Sequence, residues 1–510
     1  MRVEEKKSEK MRIGPWFIFG FCILFIAQSI SLGDVRIAGI FGDGMVLQQQ
    51  AAVPIWGQAS PFEEIQIKAS WEGATVHSKA DKQGKWTAKL ETPSAGGPYT
   101  ICIKAKNEIV LNDVLVGEVW FGSGQSNMWM PLKPSEWTPG AVNHEKEIRE
   151  ANYPRMRLFE VPQKSSGVSV DDIEGRWHVC KPDTAGDFSA TAYFFGREIH
   201  KQLDVPVGLI TASWGRTAIE PWTSEQGFAA IEELRDIYQK VRQANIEYAD
   251  AMTLARQEKR PLPEHLLKDN WKPTSLFNAM IYPVTPFAIR GVIWYQGESN
   301  CTQDDKMLYY HKMKALIQGW RQAWNRDDLP FYFVQLAPFA YTKQDWGKKM
   351  TTEYLPGIWN AQRIALSLPH TGMVVTTDIT DINDIHPPNK QDVGKRLALI
   401  ALAKVYGQQK LVYSGPLYRS MSIEANKVRL YFDHVGSGLA SRDGHALTWF
   451  EIAGEDGRFV KANAEIDVNT VIVSNPKVLN PIVVRFAWHE QATPNLINKE
   501  GLPASPFRTN

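Results

Sequence analysis

The sequence predicts an α/β protein: a parallel sheet covered by helices on both faces, with a β-sandwich-like domain before it and a β segment after it. Three observations predict it. Between about residues 116 and 406, short apolar runs rich in β-branched and aromatic residues alternate with helical stretches, the pattern of parallel strands joined by helical crossovers. Residues 34–115 alternate apolar and polar positions between turn residues, as half-buried antiparallel strands do. After Gly407 the chain returns to short β runs such as "KVRLYFD", "LTWFEIAG", "TVIVSN" and "IVVRFAW". At 510 residues it is too long for one ordinary core, so several domains are expected.

The elements follow in order. Lys6, Lys7, Lys10 and Arg12 precede an apolar run from Ile13 to Ile30, with small residues at Ser29, Ser31 and Gly33. This reads as a secretory signal over residues 1–33, and places the mature protein in the periplasm or outside the cell. The run approaches spanning length, so an uncleaved membrane anchor is the alternative. Residues 34–115 carry "VPIWGQ", "EEIQIKASW", "GKWTAKLE" and "PYTICIKA", punctuated at Ser60-Pro61, Gly84 and Gly96-Gly97-Pro98. Such a domain either braces its neighbour or binds a ligand, and no chemistry converges within it. In 116–406 the predicted strands are "VWFGSG", "PVGLITAS", "IRGVIWYQG", "PFYFVQLA" and "GMVVTTD". The segment "DKMLYYHKMKALIQGWRQAW" sets Met307, Leu308, Met313, Leu316, Ile317, Trp320 and Trp324 near one helical face. Residues 225–260 form a highly charged helical insertion with a solvated face. Residues 407–510 form the carboxy-terminal β domain.

Composition narrows the partners. The chain is 44% hydrophobic and 22% charged with a net charge of +1, without the basic surplus that nucleic-acid binding requires. Its 18 tryptophans suit both a core and a surface that stacks on sugar rings. Cys22 lies in the signal; Cys102, Cys180 and Cys301 remain, an odd number that leaves a single disulfide open. No Cys/His cluster has zinc spacing, so neither a metal nor an organic cofactor is expected. Oligomeric state is not encoded in any recognisable pattern.

Four polar clusters follow predicted strands: Gly124-Gln125-Ser126-Asn127, Ser213-Trp214-Gly215-Arg216-Thr217, Gln296-Gly297-Glu298-Ser299-Asn300, and Asp378 to His386. In a parallel sheet they share the edge beyond the carboxyl ends, where ligands bind. Ester hydrolysis by nucleophilic attack needs a hydroxyl, a base and oxyanion donors. Ser126 supplies the hydroxyl and His386 the base. Asp384 is the candidate to orient the imidazole, with Asp381 second. The backbone N–H groups of Ser126 and Gly215 and a side-chain amide, Gln296 first and Asn300 second, are the expected oxyanion donors. Gln125, Asn127, Trp129, Arg216, Glu298 and Asn300 are candidate substrate contacts. Two of these have structural alternatives: Glu298 as a buried partner of Gln296, and Arg216 as a salt-bridged loop residue.

"GEVWFGSGQSNMWMPL", "VIWYQGESN" and "NDIHPPNKQDVGKRLA" resemble the motifs of sialate O-acetylesterases and related carbohydrate acetylesterases of the SGNH hydrolase superfamily. The openings "FGDGMVLQQQAAVPIWGQA" and "GGPYTICIKA" resemble that family's amino-terminal β domain, so the likeness runs from about Ile40 to Tyr406. The resemblance implies a flavodoxin-like three-layer α/β/α catalytic domain and metal-free removal of O-acetyl groups from a sugar. It puts the nucleophile at Ser126, the base at His386 and an oxyanion glycine at Gly215. The superfamily's Asp three residues before the histidine is Asn383 here, which leaves a dyad oriented by a backbone carbonyl as an alternative. Gln296 stands where the superfamily carries an oxyanion asparagine, and Arg216 where relatives often have a second glycine. An acetylxylan or other hemicellulose acetylesterase and a non-catalytic carbohydrate-binding protein are the competing functions.

Overall fold

One strand, Glu108–Gly124, organises the molecule. Its first half pairs with Gly96–Lys104 and Val46–Gln48 in the amino-terminal β module, and its second half lies at the centre of the main sheet. The anticipated boundary at residues 115/116 therefore falls inside a continuous strand of 17 residues. The computed structural model describes residues 34–509; the expected signal segment lies outside the described residues.

The main sheet runs His178–Cys180, Tyr153–Glu160, Val207–Ser213, Glu108–Gly124, Gly291–Tyr295, Phe331–Val334, Thr371–Val374. All neighbours are parallel except the short His178–Cys180 edge, which runs antiparallel. The Tyr153–Glu160 strand escapes the sequence reading because Arg155 and Arg157 break its apolar character. Arg157 is only 4% exposed, and its guanidinium is held by Asp113 at 2.7 Å. A polar residue so paired can enter a strand that would otherwise exclude it.

Adjacent residues of the central strand show how both faces are covered. Trp120 packs edge-on against Phe195 of helix Ala190–Leu203, with centroids 4.9 Å apart. Phe121 points the other way, onto Trp320 of helix Leu308–Ala323 at 5.7 Å. Successive strand side chains face opposite sides, so these two helices lie on opposite faces. Helix Lys390–Lys404 packs beside Ala190–Leu203 on the first face. In helix Leu308–Ala323 the residues Met313, Leu316, Ile317 and Trp320 are buried as the periodicity predicts. Met307 and Leu308, expected on that face, are 37% and 38% exposed because they sit at the helix start, before its packed stretch.

The amino-terminal module has two sheets whose alternating apolar residues, among them Val53, Ile55, Ile65, Ile67, Leu90 and Ile103, join the core of the main sheet. The charged 225–260 segment is helical, chiefly Arg235–Gln257. Beyond it, antiparallel sheets from Leu417 onward enclose a separate core around Val428, Leu430, Phe450, Val471 and Phe486. Cys102, Cys180 and Cys301 are unpaired, so no disulfide forms among the described residues.

Candidate active site

The four polar clusters all lie beyond the carboxyl ends of parallel strands of one sheet; three of these strands are adjacent, and Phe331–Val334 separates them from the fourth, Thr371–Val374. Gly124 ends the central strand at φ +144, and a Cβ there would come within 2.1 Å of the Tyr295 carbonyl oxygen. Only glycine tolerates both constraints. The chain then turns at once into the single helical turn Ser126–Trp129. Within Gln125–Trp129, Ser126 and Trp129 are partly exposed, while Gln125, Asn127 and Met128 are buried.

His386 Nε2 lies 2.9 Å from Ser126 Oγ, across 260 residues of sequence. The histidine sits on a loop fixed at both ends. Asp378 at its start receives two hydrogen bonds from Arg396, at 2.7 and 2.6 Å. At its end, the Asn389 side chain caps helix Lys390–Lys404 by accepting from Asp392 N–H, a typical N-cap bond. Asp384 lies 3.7 Å from His386 Nδ1, beyond hydrogen-bond reach, while its Oδ1 accepts the His386 backbone N–H at 2.8 Å. Asp381 instead accepts from Asn383 N–H within its own turn. Among the described residues, no acceptor bonds His386 Nδ1.

Burial pushes the His386 pKa down to about 4, assisted by the Lys390 ammonium and by Arg216 and opposed by Asp384. The imidazole is therefore neutral at ordinary pH, and its Nε2 can take a proton.

The other predicted residues divide clearly. Gly215 is beside the serine: a Cβ on it would lie 3.6 Å from Ser126 Cβ. Among the described residues, neither the Ser126 nor the Gly215 N–H donates to another group. Gln296 corrects the expectation. It is fully buried, and its amide donates to Gln125 Oε1, Thr217 O and Asn300 Oδ1 while its Oε1 accepts from Tyr309. With two amide hydrogens and three acceptors in place, it has none left for an oxyanion. Asn300 is likewise buried, bonding Ile219 N–H, Glu220 and Asp305. Asn127 and Glu298, expected at the substrate, are buried and bonded to each other at 2.5 Å. Glu298 is therefore bonded to Asn127, and the expected pairing of Glu298 with Gln296 does not form.

Gln125 is buried and presents its Oε1 to Gln296 Nε2, Gly297 N–H and Ser299 N–H at 3.2 to 3.3 Å. Its own Nε2 has no partner among the described residues. Arg216 is exposed with φ +64, and its guanidinium lies 5.5 Å from the ring of Trp137, itself 62% exposed. No carboxylate pairs with Arg216 among the described residues. Trp137 escaped sequence reading because it follows no strand; a loop tryptophan carries no local signal. Lys390, completely buried at the foot of the histidine loop, escaped it for the opposite reason, since a lysine at a helix start reads as solvated.

This geometry can be set beside known proteins. Residues 265–403 match the family of carbohydrate esterases described as sialic acid-specific acetylesterases. The whole fold matches the crystal structure of a carbohydrate acetylesterase from Xanthomonas citri, with 36% identity, a TM-score of 0.80, and coverage of 93% of this chain and 99% of that one. The chain belongs to the sialate O-acetylesterase family. Sialate O-acetylesterases from Pongo abelii and Homo sapiens are each 29% identical to it. The first alignment covers 97% of both chains, and the second 81% of this chain and 80% of the human protein. As a member of the sialate O-acetylesterase family, the protein is a carbohydrate acetylesterase, hence a carboxylic ester hydrolase acting on acetylated carbohydrate.

Proposed function

We propose that this enzyme is an exported serine esterase of the SGNH type, with a flavodoxin-like catalytic domain, that removes O-acetyl groups from sugars through Ser126 and His386. The 2.9 Å contact between Ser126 Oγ and His386 Nε2 carries the reading. His386 Nε2 takes the serine proton as Oγ attacks the acetyl carbonyl. The Ser126 and Gly215 N–H groups donate to the oxyanion, and the free Gln125 amide takes the role expected of Gln296. His386 then hands its proton to the departing sugar oxygen. Water, activated by the same nitrogen, frees acetate from Ser126.

Arg216 beside the exposed Trp137 favours an acidic sugar, with a carboxylate on the guanidinium and a ring face on the indole. An O-acetylated sialic acid meets both requirements, whereas acetylated xylan offers the arginine no carboxylate.

Two experiments test this. Ser126→Ala should abolish acetate release and fluorophosphonate labelling, and retained turnover would end the assignment. Arg216→Ala should raise KM for an O-acetylated sialic acid while leaving KM for a neutral acetylated sugar unchanged; equal effects on both would remove the acidic-sugar preference. Export through residues 1–33 predicts a mature protein in the extracytoplasmic fraction that begins near Gly33.

A further inference from the structure

Asn127 follows Ser126 directly, and Lys390 lies four residues after His386. Asn127 Nδ2 donates to the carbonyl of Ile385 at 2.9 Å, and Lys390 Nζ donates to the carbonyl of Pro387 at 2.5 Å. These carbonyls flank His386 on either side. The two side chains are joined, because Lys390 Nζ also donates to Asn127 Oδ1 at 2.8 Å. Asn127 Nδ2 reaches back to Glu298 Oε1 at 2.5 Å, on the cluster after the neighbouring strand. Both polar side-chain atoms of Asn127 are thus committed, and the buried Lys390 Nζ bridges the serine turn to the histidine loop.

We propose that Lys390 is a positioning residue that, through Asn127, clips the backbone on both sides of His386 to the turn carrying Ser126 and so sets their separation. This rests on the reading of Ser126 and His386 as the reacting pair. Lys390 is a costly choice for a mere filler. It has no exposed surface, and among the described residues its carboxylate neighbours are Glu298 and Asp384, neither in direct contact with its Nζ. Burying an ammonium without a bonded counter-ion is strongly unfavourable. Two hydrogen-bond acceptors and the Tyr295 ring, 5.6 Å away, offset the cost only in part.

The charge has a second effect. The charged groups facing His386 are Lys390 from the helix start, Asp384 from its own loop and Arg216 from the glycine loop. Lys390 and Arg216 disfavour the imidazolium and Asp384 favours it. Those facing Lys390 are Glu298, from the Gly297 turn, and Asp384. Burial draws Lys390 down to about 7, so it carries its charge as the solution turns acidic and adds to the burial that keeps the base unprotonated, as well as holding it in place.

The test is Lys390→Met, which keeps the length of the side chain and removes its charge and donors. A misplacement of about 1 Å costs on the order of 100-fold in rate. Lys390→Met should therefore lower kcat by about 10- to 100-fold with KM for a chromogenic acetate nearly unchanged. It should also move the acid limb of the kcat/KM profile upward, from about 4 toward the ordinary histidine value of 6.5. A structural filler would not move that limb. Asn127→Leu, an independent variant, should lower kcat similarly. The double variant should lose little more than either single one, since both belong to one clip. Wild-type kcat and an unshifted limb in Lys390→Met, or strictly additive losses, would overturn the proposal. Ser126→Ala separates the two readings. Activity retained there removes the reacting pair itself, whereas a dead Ser126→Ala beside a wild-type-like Lys390→Met removes only the clip.

Discussion

His386 meets Ser126 at 2.9 Å with one nitrogen and meets no acceptor among the described residues with the other. In the serine–histidine–aspartate arrangement a buried carboxylate fixes the tautomer, and its loss costs about 10⁴ in kcat. Asp384 is only a 3.7 Å neighbour, and its side chain is 37% exposed. Asp384→Asn should therefore cost roughly tenfold, far below that benchmark, as measured by kcat on a chromogenic acetate. The pH dependence follows from the same surroundings. A base held down to about 4 is neutral throughout the range above it. The kcat/KM profile should stay level as pH falls through the ordinary histidine value of 6.5 and decline only on approach to about 4. A limb centred at 6.5 would show an imidazole more solvated than this one. The two glutamines differ. Gln125→Ala should lower kcat by about 100-fold with KM unchanged, because its free amide is aimed at nothing else. Gln296→Ala should lower thermal stability first, because it takes a buried donor away from Asn300, Thr217 and Gln125 and a buried acceptor away from Tyr309. Sequence alone brought Ser126, His386 and Gly215 together because each follows a strand. It could not tell Gln125 from Gln296, since the two amides differ only in which of them the packing has saturated.

At the scale of elements, parallel strands buried on both faces are the most legible part. Val207–Ser213, Gly291–Tyr295, Phe331–Val334 and Thr371–Val374 are apolar but for Thr211, Ser213 and Thr371, and buried throughout. Burial on two faces removes the polar alternation that would otherwise mark strand register. Tyr153–Glu160 was illegible because its arginines are paired by partners distant in sequence, Arg157 by Asp113 and Arg155 by Asp204. The most demanding junction is the one between the central strand and the serine turn. Gly124→Ala must either leave its left-handed φ or press its methyl on the Tyr295 carbonyl. It should unseat the turn, with activity falling more steeply than the melting temperature. Phe121→Ala, one turn of the pleat away, should act through stability instead, at about 3–5 kcal/mol by denaturant titration, with the remaining folded enzyme active.

Across the whole molecule, the carboxy-terminal sheets have a core of their own yet are bolted to the catalytic region. Glu490, with no exposed surface, accepts hydrogen bonds from Thr342; Arg485 pairs with Glu353 at 3.0 Å; and Ser505 receives the buried amide of Gln335 at 3.0 Å. Glu490→Ala should lower the melting temperature of the entire protein, not of one region, as scanning calorimetry can record. None of these ties was legible, since each joins positions more than 100 residues apart. The junction at the other end of the catalytic region is of a different kind, because Glu108–Gly124 serves two sheets without interruption. An amino-terminal module attached in this way cannot be exchanged for another by recombination at a linker. Any crossover point would land inside a hydrogen-bonded ladder, so the front end and the chemistry must be inherited as one piece.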